Sequence, residues 1–126
     1  MKDFNKTNND TLVAIVDDDV YVCEAVESLL KSIGFRTATF NSARDFLDSP
    51  EFSNVSCVIL DVSMPVMNGL ELQRHLADTH PIPIIFITAR NGDTREQALQ
   101  AGAIGFLTKP FSDEALIDAL DTALGA

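Results

Sequence analysis

The segment Leu12-Val13-Ala14-Ile15-Val16 is an unbroken apolar run that stops abruptly on Asp17-Asp18-Asp19. Continuous rather than alternating apolarity marks a parallel strand buried on both faces. The pattern recurs along the chain. Val55 to Leu60 ends on Asp61, Ile84 to Ile87 ends on Thr88, and Gly105 to Thr108 ends on Lys109, while Arg36 to Phe40 is a further short strand candidate. The intervening stretches carry helical spacing instead. Val22, Val26, Leu29, Leu30 and Ile33 recur at three- and four-residue steps, and Gly34 supplies a stop. Ser42-Ala43-Arg44-Asp45 has the S-x-x-[DE] form of a helix start. Further helices are expected from Gly69 to about Ala77, closed by Pro81 and Pro83, and from Thr94 to about Ala101, stopped by Gly102. The last starts at Ser112 and turns Leu116, Ala119, Leu120, Ala123 and Leu124 inward.

Strands alternating with helices at this spacing specify right-handed βαβ units on a parallel sheet. The predicted class is α/β: a flavodoxin-like, doubly wound, five-stranded parallel sheet of order 2-1-3-4-5 in a three-layer α/β/α sandwich. A barrel fragment is set aside on length, because 126 residues fall well short of the roughly 200 or more that a barrel wants. The expected division is a polar tail over 1–10, one domain over 11–124, and a short end at 125–126.

Charge narrows the function classes. Nineteen acidic residues against nine Lys and Arg give a formal net charge of −10, which opposes binding to nucleic acid or to an anionic membrane. No apolar run approaches the ~18–20 residues of a membrane helix. The first ten residues also lack the apolar core of a signal peptide. Cys23 and Cys57 form no C-x-x-C pair and read as small buried residues of a reducing compartment. A soluble, cytoplasmic protein is expected.

In a parallel sheet the strand ends share one edge, and ligands bind where strand order reverses, here between strands 1 and 3. That edge gathers Asp17, Asp18, Asp19, Asp61, Thr88 and Lys109. Close carboxylates repel one another unless positive charge lies between them. Lys109 supplies one such charge, and a hard divalent cation with oxygen ligands, Mg²⁺, supplies the rest. Asp19 is better read as the N-cap of the first helix. His75 and His80 read as surface residues without metal-ligand spacing.

These residues also carry a resemblance. VDDD (16–19), LDVSMPVMNGLEL (60–72), ITAR (87–90) and GFLTKPF (105–111) are together similar to the receiver domain of bacterial two-component response regulators. The stretch 60–72 and the last helix resemble receivers that precede LuxR-type helix-turn-helix domains. The resemblance implies that Asp61 accepts a phosphoryl group from a sensor histidine kinase. It implies that Asp18 is a direct Mg²⁺ ligand, that Asp17 acts mainly through water, and that the Ser63 backbone carbonyl completes the site. Lys109 is then the partner of the phosphoryl oxygens, Thr88 the hydroxyl that reaches them on activation, and Phe106 the aromatic switch, turning from outward to inward. It further implies a cis Lys109–Pro110 bond, and leaves open a standalone receiver acting as adaptor or phosphate sink, homodimerisation on phosphorylation, and output through a C-terminal DNA-binding domain. Ser63 and Arg90 flank the site and are expected to tune loss of the phosphoryl group to water.

Two other functions fit the residues less well. An aspartate-nucleophile phosphatase wants a second Asp as acid/base two residues after the nucleophile, where this chain has Ser63. A flavin carrier wants a phosphate loop after strand 1, where this chain has three anions.

Overall fold

The computed structural model describes residues 11–89 and 94–125. The expected 1–10 tail, Arg90 and Ala126 lie outside the described residues. The elements follow as β1 (Leu12–Val16), α1 (Val20–Ser32), β2 (Arg36–Phe40), α2 (Ala43–Asp48), a 3-10 turn (Phe52–Asn54), β3 (Cys57–Asp61), α3 (Gly69–Thr79), β4 (Ile84–Thr88), α4 (Arg95–Gln100), β5 (Gly105–Thr108) and α5 (Asp113–Ala123). The five strands are all parallel, in the order β2-β1-β3-β4-β5. This is the predicted doubly wound topology.

Burial follows the sequence pattern. β1, β3 and β4 are buried at every residue, as unbroken apolar runs in central strands require, while the edge strands β2 and β5 are partly exposed. One sheet face, through Val13, Ile15, Ile59, Ile85 and Ile87, packs on Cys23, Val26 and Leu30 of α1 and Leu116 and Leu120 of α5. The other, through Ala14, Val16, Val58, Leu60, Phe86 and Phe106, packs on α2, α3 and Ala98 of α4. No helix among the described residues is long and apolar enough to cross a membrane.

The starts of α1, α2, α3 and α5 are capped by side chains that spare orphan backbone N–H groups. Asp19 accepts from the amides of Tyr21 and Val22, Ser42 from that of Asp45, and Ser112 from that of Ala115. The full reciprocal capping box lies at α3, between Asn68 and Glu71, rather than at Ser42. At the end of α1, Gly34 takes a φ of 100° and the Phe35 amide returns to the Leu30 carbonyl, as a left-handed helix stop requires.

Three expectations shift. β3 begins at Cys57 rather than Val55, because the turn over Phe52–Asn54 consumes the start of the run while Val55 still packs into the core. α3 continues to Thr79, so Pro81 and Pro83 limit it later than the apolar spacing implied. His80 is half-buried rather than a surface residue, its ring 5.0 Å from that of Phe52 at the end of a chain of rings running through Phe46 to Phe40.

Candidate functional site

Register assembles the site. Val16 pairs with Leu60, so the next residues, Asp17 and Asp61, lie side by side at the reversal point. Thr88 pairs with Thr108, and Lys109 follows one step beyond. One carboxylate oxygen from each of Asp17, Asp18 and Asp61 falls within 4.8 Å of the others. The Lys109 ammonium donates to Asp17 Oδ2 at 2.9 Å and stands 3.8 Å from Asp61 Oδ1. Asp17 is fully buried, Asp61 nearly so at 4% exposure, and Asp18 is open to solvent. A deep pair with one exposed carboxylate is thus open to a ligand from one side.

The loop after β3 is shaped around this pocket. Val66 takes a φ of 70° and is fully exposed, and the Met67 amide donates to the Pro65 carbonyl at 2.8 Å, closing a three-residue turn. A left-handed φ on a β-branched residue is strained and persists only where its surroundings enforce it. The turn brings Gly69 back against β3, where a Cβ would collide with the backbone carbonyl oxygen of Asp61. Glycine is therefore required here by close approach. The Lys109–Pro110 bond is cis, as the resemblance implied.

The electrostatics match the geometry. Burial first, then the charge of Asp17, push the Asp61 carboxyl from 3.8 up to about 6, against the pull of Lys109 and the Ser63 amide, which lies 3.4 Å from Oδ1. Burial opposes the charge on Lys109, yet its bond to Asp17 and the field of Asp61 outweigh this and hold its pKa above the ordinary lysine value. Three carboxylates facing a single ammonium leave excess negative charge, and all the donors are oxygen. This set suits a hard divalent cation such as Mg²⁺, and Asp17, Asp18 and Asp61 are the residues that would hold it.

Each predicted site residue can now be placed. Asp17, Asp18, Asp61 and Lys109 converge. Ser63 is exposed at the rim, with its amide toward Asp61. Asp19 serves as the helix cap instead. Thr88 is buried, and strand alternation sets it on the face that carries Phe86 and Phe106. Phe106 is already inward, 7% exposed, with its ring centroid 6.1 Å from that of Phe86. Arg90 lies outside the described residues.

Sequence reasoning missed the supports of Asp17. Its carbonyl accepts from the Asn41 side-chain amide at 3.2 Å and from the Cys23 thiol at 3.4 Å, while its Oδ1 accepts from the Asp19 amide at 2.8 Å. Asn41 was findable, since it follows β2 at the same sheet edge.

The chain is similar to known proteins over most of its length. The response regulator receiver domain family matches residues 13–121. The response regulator protein TmoT of Ectopseudomonas mendocina is 48% identical over 120 residues, covering 93% of this chain and 54% of the relative. Among solved structures, response regulator StyR superposes with a TM-score of 0.84 at 43% identity, over 92% of this chain and 60% of that one. The structure of FixJ-N gives a TM-score of 0.79 at 34% identity, over 99% of this chain and 96% of that one. The chain spans about half the length of the curated relatives it matches, 54% and 51% for two of them.

Proposed function

The chain belongs to the response regulator receiver domain family, and on that premise we propose that Asp61 is its phosphoacceptor, charged by a sensor histidine kinase. The family is regulatory rather than catalytic and provides the phosphoacceptor switch of two-component systems. One observation carries the assignment. Asp61 ends a central buried strand, with oxygens of Asp17 and Asp18 within 4.8 Å and the Lys109 ammonium at 3.8 Å.

Phosphoryl transfer to a carboxylate needs positioning and neutralisation of charge, because the ionised oxygen is already the nucleophile. An Asp61 oxygen attacks phosphorus, the bond to the donor histidine nitrogen breaks, and its electron pair returns to the imidazole. The product is an acyl phosphate on Asp61. Asp18, Asp61 and the Ser63 carbonyl would hold Mg²⁺ directly and Asp17 mainly through water, and the ion would supply positive charge to the transferring phosphoryl oxygens. Lys109 neutralises the same oxygens from the other side. Water later removes the phosphoryl group in the same pocket, at a rate tuned by Ser63 and Arg90.

The phosphoryl group brings as much as about two negative charges and new acceptor oxygens. The Thr88 hydroxyl reaches them, and Phe106 in the inward position reports the change on the α4–β5–α5 surface. That surface governs a second copy of the domain or a C-terminal DNA-binding domain of LuxR type. The greater length of the relatives supports such a further domain. The domain over 11–124 acts in the cytoplasm, and its net charge of −10 leaves contact with DNA to that further domain.

The test is incubation with a small acyl phosphate donor and Mg²⁺. One base-labile phosphoryl group per chain is expected, and a chelator should stop its uptake. Absence of uptake, or uptake indifferent to the chelator, contradicts the proposal.

A further inference from the structure

Arg95, the first residue of α4, makes two contacts with Phe106. Its Nη1 donates to the Phe106 carbonyl at 3.1 Å, and its guanidinium carbon lies 5.8 Å from the Phe106 ring centroid. The ring thus neighbours both a cation and the Phe86 ring, whose centroid lies 6.1 Å away.

These contacts matter because α4 has few other anchors. It is six residues long, its N-cap Thr94 makes no side-chain capping bond, and Ala98 is its only buried residue. A helix this short has little intrinsic stability and depends on tertiary contacts. One polar anchor is the buried Gln73 of α3, whose Nε2 donates to the Ala98 carbonyl at 3.0 Å. Another, among the described residues, is Arg95, through its bond to the Phe106 carbonyl of β5.

We propose that Arg95 is a positioning residue that holds Phe106 inward and makes the ring and the first turn of α4 one two-state element. The proposal rests on the reading of Phe106 as the switch position and adds what couples that ring to α4. An outward ring loses the guanidinium over its face and leaves Arg95 its bond to the Phe106 carbonyl alone, so departure of the ring weakens the hold on the first turn of α4. Conversely, a partner that pulls the start of α4 away removes one wall of the ring's site. Because Arg95 stabilises the inward state without any phosphoryl group, it sets the resting balance of the switch.

The experiment uses the chain with selectively labelled phenylalanines and follows the nuclear Overhauser contact between the Phe106 and Phe86 rings. In free Arg95→Ala the outward population should rise roughly two- to fivefold, the range expected for a cation–π contact at an exposed site. Amides of α4 should shift together with the ring. Arg95→Lys keeps a cation but loses the planar fork, so it should fall between Arg95→Ala and the parent chain. Glu96→Ala, one residue on, should leave the ring unmoved. An unchanged Phe106–Phe86 contact in Arg95→Ala overturns the proposal, as does a ring that moves while α4 does not. A second arm adds beryllofluoride and Mg²⁺ as a mimic of the acyl phosphate. Failure of the parent chain to respond there contradicts the assigned phosphoacceptor site and leaves the Arg95 comparison in the free chain to stand or fall separately.

Discussion

Lys109 is a hydrogen-bond partner of Asp17, at 2.9 Å, and only an ion-pair neighbour of Asp61, at 3.8 Å. The ammonium thus neutralises the fully buried carboxylate and leaves Asp61, the proposed acceptor, undercompensated. Stability and chemistry are divided between two aspartates that register places side by side.

Removing the ammonium should therefore act first on Asp17. In Lys109→Met, Asp17 becomes a buried charge without its cation, which should lower stability by on the order of 2–4 kcal/mol. The emptied position also leaves three carboxylates unopposed, so Mg²⁺ should bind severalfold more tightly and restore much of the loss. Urea unfolding with and without Mg²⁺ checks both effects. Unchanged stability, or weaker Mg²⁺ binding, contradicts this division of roles.

Asp61 should make the metal-free chain less stable as pH rises. Its carboxyl sits at about 6 in the folded chain against an ordinary 3.8, so the folded state holds that proton more tightly than the unfolded state. This contribution to stability is complete below about pH 4 and is lost as pH rises through about 6. Asp61→Asn removes the dependence and should raise stability near pH 7.5 by on the order of 2–3 kcal/mol. Paired urea titrations in chelator, at low and neutral pH, isolate the effect as a difference between the two proteins. A gap that does not widen with pH contradicts it.

Gly69 should tolerate no side chain. A Cβ there meets the Asp61 carbonyl oxygen, the Val62 Cα and the Phe86 ring, and two of these are backbone that cannot swing aside. Gly69→Ala should cost about 2 kcal/mol or more and displace the acceptor, so that phosphoryl uptake falls even in the folded fraction. Calorimetry and a labelling time course measure the two losses. A variant of parental stability and labelling rate contradicts the close approach.

Much of this was written in the sequence because the strands are short, apolar and polar-ended. At β1, β3, β4 and β5 the residue that breaks the run announces itself, so Asp17, Asp61, Thr88 and Lys109 were legible in the sequence. Topology followed from alternation, and strand order then told which ends would meet. What stayed hidden depends on contacts between distant segments. Val55 is apolar and buried whether or not it belongs to β3, so periodicity could not detect the turn before Cys57. His80 lies half-buried against Phe52 through tertiary packing alone. Arg95 covers Phe106 through a side chain that any exposed polar position could have carried.

The central claim is that Asp61, among three aspartates gathered in one pocket, is the residue that carries the phosphoryl group. Its most direct test is to label the chain with a small acyl phosphate donor and Mg²⁺, reduce the product with borohydride, and map the reduced residue by peptide mass spectrometry. An acyl phosphate becomes an alcohol under that treatment, so the modified position is marked permanently. The account predicts one reduced residue, Asp61, and no label in Asp61→Asn. Reduction at Asp17 or Asp18, or stoichiometric labelling of Asp61→Asn, contradicts it.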